Sequence, residues 1–154
     1  SLGDTVDSDS GQTRNLTIDT NGNTGTIQFA GLIGDTDGLS AITITGKLDL
    51  DANIVGAASL SISGTSNLGA NVTTSGTQTY TGATVLSTDV TLTTTNNNVT
   101  VSSTVDSDAI GTKRDLTLTL QENLPHKFSN RNSKCSSYGT HPQNPPLRPL
   151  LHTT

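Results

Sequence analysis

The sequence predicts an all-β protein wound as a parallel β-solenoid of about 20 residues per coil, and three observations carry that prediction. Aliphatic residues alternate with Thr, Ser or Asp at period two through most of the first 120 positions. A five-residue segment recurs 99 positions later, with a shorter spacing inside the long one. Hydrophobic residues make up only 30% of the 154 and aromatics 3%, too few for a thick core but enough for the narrow one that stacked coils share.

The elements follow in order. Leu16-Thr17-Ile18 predicts a strand, and Asn21-Gly22-Asn23 a turn after it. Ile27-Gln28-Phe29 predicts the next, and the Gly- and Asp-rich stretch from Gly31 to Gly38 reads as an excursion loop. Ile42-Thr43-Ile44, Leu48-Asp49-Leu50 and Leu60-Ser61-Ile62 follow, with breaks at Gly64 and Ser75-Gly76. Val90-Thr91-Leu92, Val99-Thr100-Val101 and the run from Leu116 to Leu120 complete the series. Branched side chains fit a pleated surface and are stiff in a helix, so no helix of useful length is expected before residue 120. The expectation is about eight to ten short strands.

The repeats set the coil length. Thr5-Val6-Asp7-Ser8-Asp9 recurs unchanged from Thr104 to Asp108, and Arg14-Asn15-Leu16-Thr17-Ile18 recurs as Arg114-Asp115-Leu116-Thr117-Leu118. The offsets, 99 and 100, place one inserted residue in the loop between the two motifs. Taking Leu16, Ile42, Leu60, Tyr80, Val99 and Leu116 as equivalent positions gives spacings of 26, 18, 20, 19 and 17. A unit this short cannot bury its apolar face alone, whereas about six stacked coils would form a rod of roughly 29 Å. A recurrence near 100 also fits an immunoglobulin-like or cadherin-like β-sandwich, with Thr-Val-Asp-Ser-Asp at successive junctions and Ca²⁺ between domains. The absence of Trp and the short inner spacing argue against that alternative.

Composition divides the chain at residue 120. Residues 1–120 hold 26 of the 29 Thr and carry a net charge of −8, every acid being Asp. Residues 121–154 carry +3, all five Pro, all three His and the only Cys, and contain no Val, Ile or Ala. This tail reads either as the product of a shifted reading frame or as a Pro-rich disordered linker. A net charge of −5 argues against a nucleic acid held by a basic patch and against an anionic membrane surface. No apolar run approaches the roughly 18 residues of a membrane helix. The chain starts at Ser1 without a signal-peptide pattern, and so reads as a piece of something larger.

Segments such as Gly76-Thr-Gln-Thr-Tyr80-Thr-Gly82-Ala-Thr-Val-Leu86, Asp89-Val-Thr-Leu-Thr-Thr94 and Val99-Thr-Val-Ser-Ser-Thr-Val-Asp-Ser-Asp108, followed by Arg114-Asp-Leu-Thr-Leu118, resemble the repeat regions of large bacterial surface exoproteins. These are the filamentous-haemagglutinin-like and autotransporter-type adhesins. The resemblance covers residues 1–120. It implies a secreted, right-handed parallel β-helix at the bacterial cell surface, stacked on adjacent repeats and meeting a host or neighbouring-cell protein or glycan. It brings no catalytic residues with it.

Candidate chemistry is sparse. Asp7/Asp9, Asp35/Asp37, Asp49/Asp51 and Asp106/Asp108 pair carboxylates at alternate positions, which suits either structural Ca²⁺ or solvated turns. Neither the EF-hand spacing nor the calcium-binding nonapeptide is present. Glycoside hydrolysis also uses paired carboxylates, but these lie in polar Gly/Ser/Thr surroundings without an aromatic platform, so no enzyme is expected. Thr43/Thr45, Thr77/Thr79/Thr81, Thr91/Thr93 and Thr117/Thr119 would form hydroxyl arrays like those of ice-binding solenoids if the coils aligned them, although irregular coil lengths oppose one flat face. Asn15, Asn71 and Asn98 head Asn-x-Thr triplets, which chance alone supplies in so Asn- and Thr-rich a chain. Cys135, His126 and His141 match no zinc spacing. No catalytic, cofactor-binding or metal-binding residue is assigned.

Overall fold

The computed structural model of the chain describes residues 1–22 and 24–121, and all regular structure among them is β-strand. The strands are β1 (Leu16–Asp19), β2 (Thr26–Phe29), β3 (Leu39–Thr45), β4 (Lys47–Leu50), β5 (Ile54–Ile62), β6 (Ser66–Leu68) and β7 (Val72–Thr74). They continue with β8 (Gln78–Tyr80), β9 (Thr84–Leu86), β10 (Val90–Thr95), β11 (Val99–Val101), β12 (Val105–Ser107) and β13 (Leu116–Gln121). Every pairing between described strands is parallel. An immunoglobulin-like sandwich is built on antiparallel pairs, so that alternative fails. The chain is a β-solenoid of about four turns with roughly 21 residues per turn.

Each turn visits three faces. The first carries β2, β4, β6, β9 and β12. The second carries the start of β5, then β7, β10 and β13, and is begun by Val6 and Ile33, which bridge in series to Ile54. The third carries β1, β3, the end of β5, β8 and β11. Nine-residue β5 runs around a corner and so belongs to two faces.

Period-two alternation in short strands sends one row of side chains inward from each face. Phe29, Leu50, Leu68 and Leu86 stack in register on the first face. Ile33, Ile54, Val72 and Leu92 stack on the second. Ile44, Ile62 and Tyr80 stack on the third. All of them are buried, and together they form one continuous narrow core.

The register corrects the sequence-based coil equivalences. Leu16, Ile42, Leu60 and Val99 are equivalent, but the position between the last two is Gln78 and not Tyr80, which stacks two residues further on against Ile62 and Val101. Alternation turns both Gln78 and Tyr80 inward, and an apolar pattern cannot see the Gln. Leu116 lies on the second face against Val90, so the six coils counted through it become about four turns. The expected loop from Gly31 to Gly38 also holds a core residue, because Ile33 is fully buried and bridges Val6 and Ile54.

The long repeat turns out to be a corner and not a whole number of turns. Val6 lies on the second face and Val105 on the first, while Leu16 lies on the third and Leu116 on the second. Each copy therefore builds the same bend one face apart. In the first copy Gln12 N donates to Asp9 O (2.9 Å), Gly11 is left-handed (φ 72°) and Arg14 meets Asp9 at 3.6 Å. In the second Thr112 N donates to Ala109 O (3.1 Å), Gly111 is left-handed (φ 86°) and Arg114 meets Asp108 at 3.1 Å. The inserted residue is absorbed in the turn.

The Arg114 guanidinium donates to both carboxylate oxygens of Asp108 and holds that carboxyl below its ordinary range, while Asp108 raises Arg114 in return. A depressed carboxyl contributes stability above its unfolded value and loses it as pH falls through the folded one. For a surface pair this is small. Asp108 should titrate below the ordinary aspartate range by NMR, and Arg114→Gln should return it toward that range. An identical midpoint in the two chains would contradict the pair.

Several buried hydroxyls break the apolar pattern, and two of them lack a partner. Ser66 and Thr84 stack directly on each other inside the first face, next to Leu48 and Val105, and neither Ser66 Oγ nor Thr84 Oγ1 has a hydrogen-bond partner. Thr84→Val keeps the shape and removes an unsatisfied polar group, so it should raise stability by about 1 kcal/mol in urea unfolding. A lower midpoint would mean the hydroxyl is paired.

Candidate functional site

The third face is regular over five strands. Its inward rows are Leu16, Ile42, Leu60, Gln78, Val99 and Ile18, Ile44, Ile62, Tyr80, Val101, which leaves Thr17, Thr43, Ser61, Thr79 and Thr100 pointing outward in one unbroken register. A second outward row, two residues earlier, contains Ala41, Ser59, Thr77 and Asn98, aligned by the Ala41–Ser59 pair and by bonds from Leu60 N to Thr77 O and Gln78 N to Asn98 O. A third row, two residues later, contains Thr45, Ser63, Thr81 and Ser102, aligned by bonds from Ser63 N to Ile44 O, Thr81 N to Ile62 O and Ser102 N to Tyr80 O. Strand geometry spaces these rows by roughly 6.7 Å along the chain and about 4.8 Å between coils.

From Ala41 to Ser102 these three rows contain no charged residue, in a body whose net charge is −8. The row that holds Thr45 starts on a charge, Asp19 in β1; the other charges lie off this face, with Lys47, Asp49 and Asp106 on the first face and Asp35, Asp37 and Asp89 in corners. Thr43, Ser61, Thr77, Thr81 and Thr100 are exposed and Thr79 half-buried. The result is a neutral sheet of small hydroxyl side chains.

Two devices hold this face in register. At its corner toward the first face, Gly46, Gly64 and Gly82 stack, with Gly64 N donating to Gly46 O (2.9 Å). A Cβ on Gly64 would run into the Gly46 carbonyl, and one on Gly82 into that of Gly64. Beneath the face, buried Gln78 replaces an aliphatic rung. Its Nε2 donates to Val72 O (3.3 Å), Thr74 Oγ1 (3.2 Å) and Thr93 O (2.9 Å), and its Oε1 accepts from Tyr80 OH (3.0 Å). This network ties the third face to the second across the interior. Burial pushes the Tyr80 phenol well above its ordinary pKa, so it stays a neutral donor.

The other candidates are distributed over the corners and the first face. Asp37 Oδ1 accepts from Gly11 N and Asp7 Oδ1 from Thr36 N, while Asp49 and Asp51 accept from Asn67 Nδ2 (2.8 Å) and Gln28 Nε2 (2.7 Å). The paired Asp residues thus hold turns and neighbouring coils. No cluster of three or more His, Cys, Asp or Glu occurs among the described residues. Cys135, His126 and His141 lie outside the described residues.

Thr43/Thr45 and Thr77/Thr79/Thr81 share the third face, whereas Thr91/Thr93 pair with Thr117/Thr119 on the second. Two of the Asn-x-Thr asparagines have a structural role unseen in the sequence: Asn15 Oδ1 accepts from Ala41 N (3.1 Å) and Asn71 Oδ1 from Thr91 N (2.7 Å), each one coil away. Asn53 and Asp89 do the same for Asn71 N and Asp115 N. The signal available was the place of each Asn or Asp directly before an aliphatic strand start.

Comparison with protein-family models, with curated proteins and with solved structures gave no match.

Proposed function

We propose that residues 1–120 form a structural and adhesive segment of a secreted bacterial cell-surface protein, a stalk that meets a host or neighbouring-cell protein or glycan. One observation carries the reading: an uncharged hydroxyl face continues in register over successive coils, so that many weak contacts are offered in a line. The resemblance to exoprotein repeats agrees with it. Mechanism here is mechanical. The parallel backbone ladder resists extension along the rod, and affinity comes from the number of contacts and not from one pocket. Beads coated with the folded chain should adhere to bacterial or epithelial cells. Replacing Thr43, Ser61 and Thr79 together by Glu should lower adhesion about tenfold, because avidity multiplies small losses. Equal adhesion by the triple variant, with an unchanged circular dichroism spectrum, would contradict the role of this face.

A second reading, an ice-binding surface, rests on one specific finding. The unequal coil lengths that opposed a flat face are absorbed in the corners, and the outward row from Thr17 to Thr100 stays in register. Thermal hysteresis in the folded chain that Thr79→Lys abolishes would establish this reading. Ice growth unaffected by the chain would dismiss it.

A further inference from the structure

At the corner between the second and third faces β5 carries one residue more than β7, Ile54 to Ala57 standing against Val72 to Thr74. Gly56 takes up the extra length, and a Cβ there would come within 2.8 Å of Gly34 O, so the bulge has no side chain. The corner is left hollow. A groove of about 560 Å³ runs from Leu39 over residues 55–58 and 73–75 to Thr95, a volume ordinary for a small-ligand site. Gln12 and Asp37 bound it on one side and Thr95 on the other, so its mouth lies on the flank of the rod and not at an end.

Val55 makes the centre of the groove apolar. It follows Ile54 as Thr73 follows Val72, Thr93 follows Leu92 and Thr119 follows Leu118, and so stands where the other coils place Thr. It is 41% exposed, whereas the other exposed large hydrophobics, Val105, Ile110, Leu118 and Leu120, all belong to the last described coil. Around it Thr36, Ser75 and Thr95 bond through backbone atoms alone. Their hydroxyls, that of Thr73 and the Gln12 amide have no partner among the described residues. Asp37 is the one charged residue of the lining.

We propose that this groove binds a short neutral oligosaccharide carrying N-acetyl groups, with an acetamido methyl on Val55 and Ala58 and the sugar hydroxyls on the rim. Three observations select this ligand. No Lys or Arg lines the groove and one carboxylate does, which repels acidic sugars and phosphates and suits an uncharged partner. The unpaired rim groups are hydroxyls and an amide, which donate and accept in turn as sugar hydroxyls do, while Asp37 adds an acceptor. Backbone groups at the corner are taken up between coils, Val55 N on Ile33 O and Ser75 N on Ala57 O, so an extended peptide finds no ladder to join. An acetamido group supplies what the centre lacks, a methyl for Val55 beside an amide for the rim.

The groove lies off the hydroxyl rows of the third face, so the proposal goes beyond the adhesive reading and is read in solution without cells. The full 154-residue chain is titrated by NMR with the N-acetylglucosamine trimer, with the glucose trimer of the same linkage and with an N-acetylated alanine tripeptide. The N-acetylglucosamine trimer should shift the amides of Val55, Ala58, Thr73 and Ser75 in a saturating way. The glucose trimer, without the acetamido methyl, should bind about tenfold more weakly. Val55→Thr installs the residue of the neighbouring coils, so the fold should survive, and it should weaken the N-acetylglucosamine trimer by a similar factor. The triple Glu variant of Thr43, Ser61 and Thr79 should bind the trimer as the parent does, whatever becomes of its adhesion. Amides of the groove that stay unmoved at saturating trimer would overturn the proposal. Equal binding of the glucose trimer, tighter binding of the peptide, or unchanged binding by Val55→Thr would each overturn it as well.

Discussion

Replacing Leu60 by Ala should destabilise the chain by about 2–5 kcal/mol, the range for a buried Leu whose neighbours cannot collapse into the space. Leu60 is 1% exposed and stands mid-rod between Ile42 and Gln78, both fully buried. In a stacked array the loss is felt at two coil interfaces, above and below. Leu118→Ala, at the half-exposed end, should cost well under half as much. Urea unfolding of the two variants measures the difference. Equal losses would mean that the core is not graded from the middle of the rod to its end.

Gly64→Ala should have a comparable effect by the opposite mechanism. The added methyl meets the backbone carbonyl of Gly46, which is itself the acceptor for Gly64 N, so neither rotamer change nor side-chain movement relieves the overlap. Overpacking of this kind costs about 1–3 kcal/mol, with a further contribution of about 1 kcal/mol from the weakened hydrogen bond. Since coils interact only with their neighbours, separating two of them should also broaden the melt and divide it into two steps. Gly3→Ala serves as the control, because nothing lies within 4 Å of a Cβ built there. A Gly64→Ala chain that melts like the control would show that the coils stand further apart than described.

Much of this fold was legible in the sequence because period-two alternation is a direct record of an inward and an outward row. The segments around Leu16, Ile27, Ile42, Leu48, Leu60, Val90, Val99 and Leu116 are all strands, in an all-β solenoid of close to the expected coil length. Alternation did not reveal β6, β7, β8, β9 and β12, and the first four of these place Ser66, Thr74, Gln78 and Thr84 inward. A hydroxyl in an interior row is invisible to a rule that looks for aliphatics. Gln78 misled the coil equivalence for the same reason, since its amide is satisfied by Val72, Thr74 and Thr93, residues distant in sequence. The long recurrence misled differently. It marks a local bend, with an Arg–Asp pair and a left-handed Gly, and local motifs do not say on which face they fall.

The third face was half legible. Thr-x-Thr spacing shows which hydroxyls leave the same side of one strand, but only the register between coils decides whether rows align. That register depends on how the corners absorb extra residues, as between β1 and β2 and between Ile33 and β3. Corner length is a tertiary property, and no periodicity within one coil encodes it.

Residues 18 and 21 apart are direct neighbours in a parallel stack, and through-space NMR between backbone protons reads those neighbours out. Contacts are expected from Ile42 to Leu60, from Leu60 to Gln78 and from Gln78 to Val99, with the neighbouring positions Thr43, Ser61, Thr79 and Thr100 in the same register. Contacts joining strands adjacent in sequence in antiparallel order, such as the end of β3 folded back on β4, would contradict it.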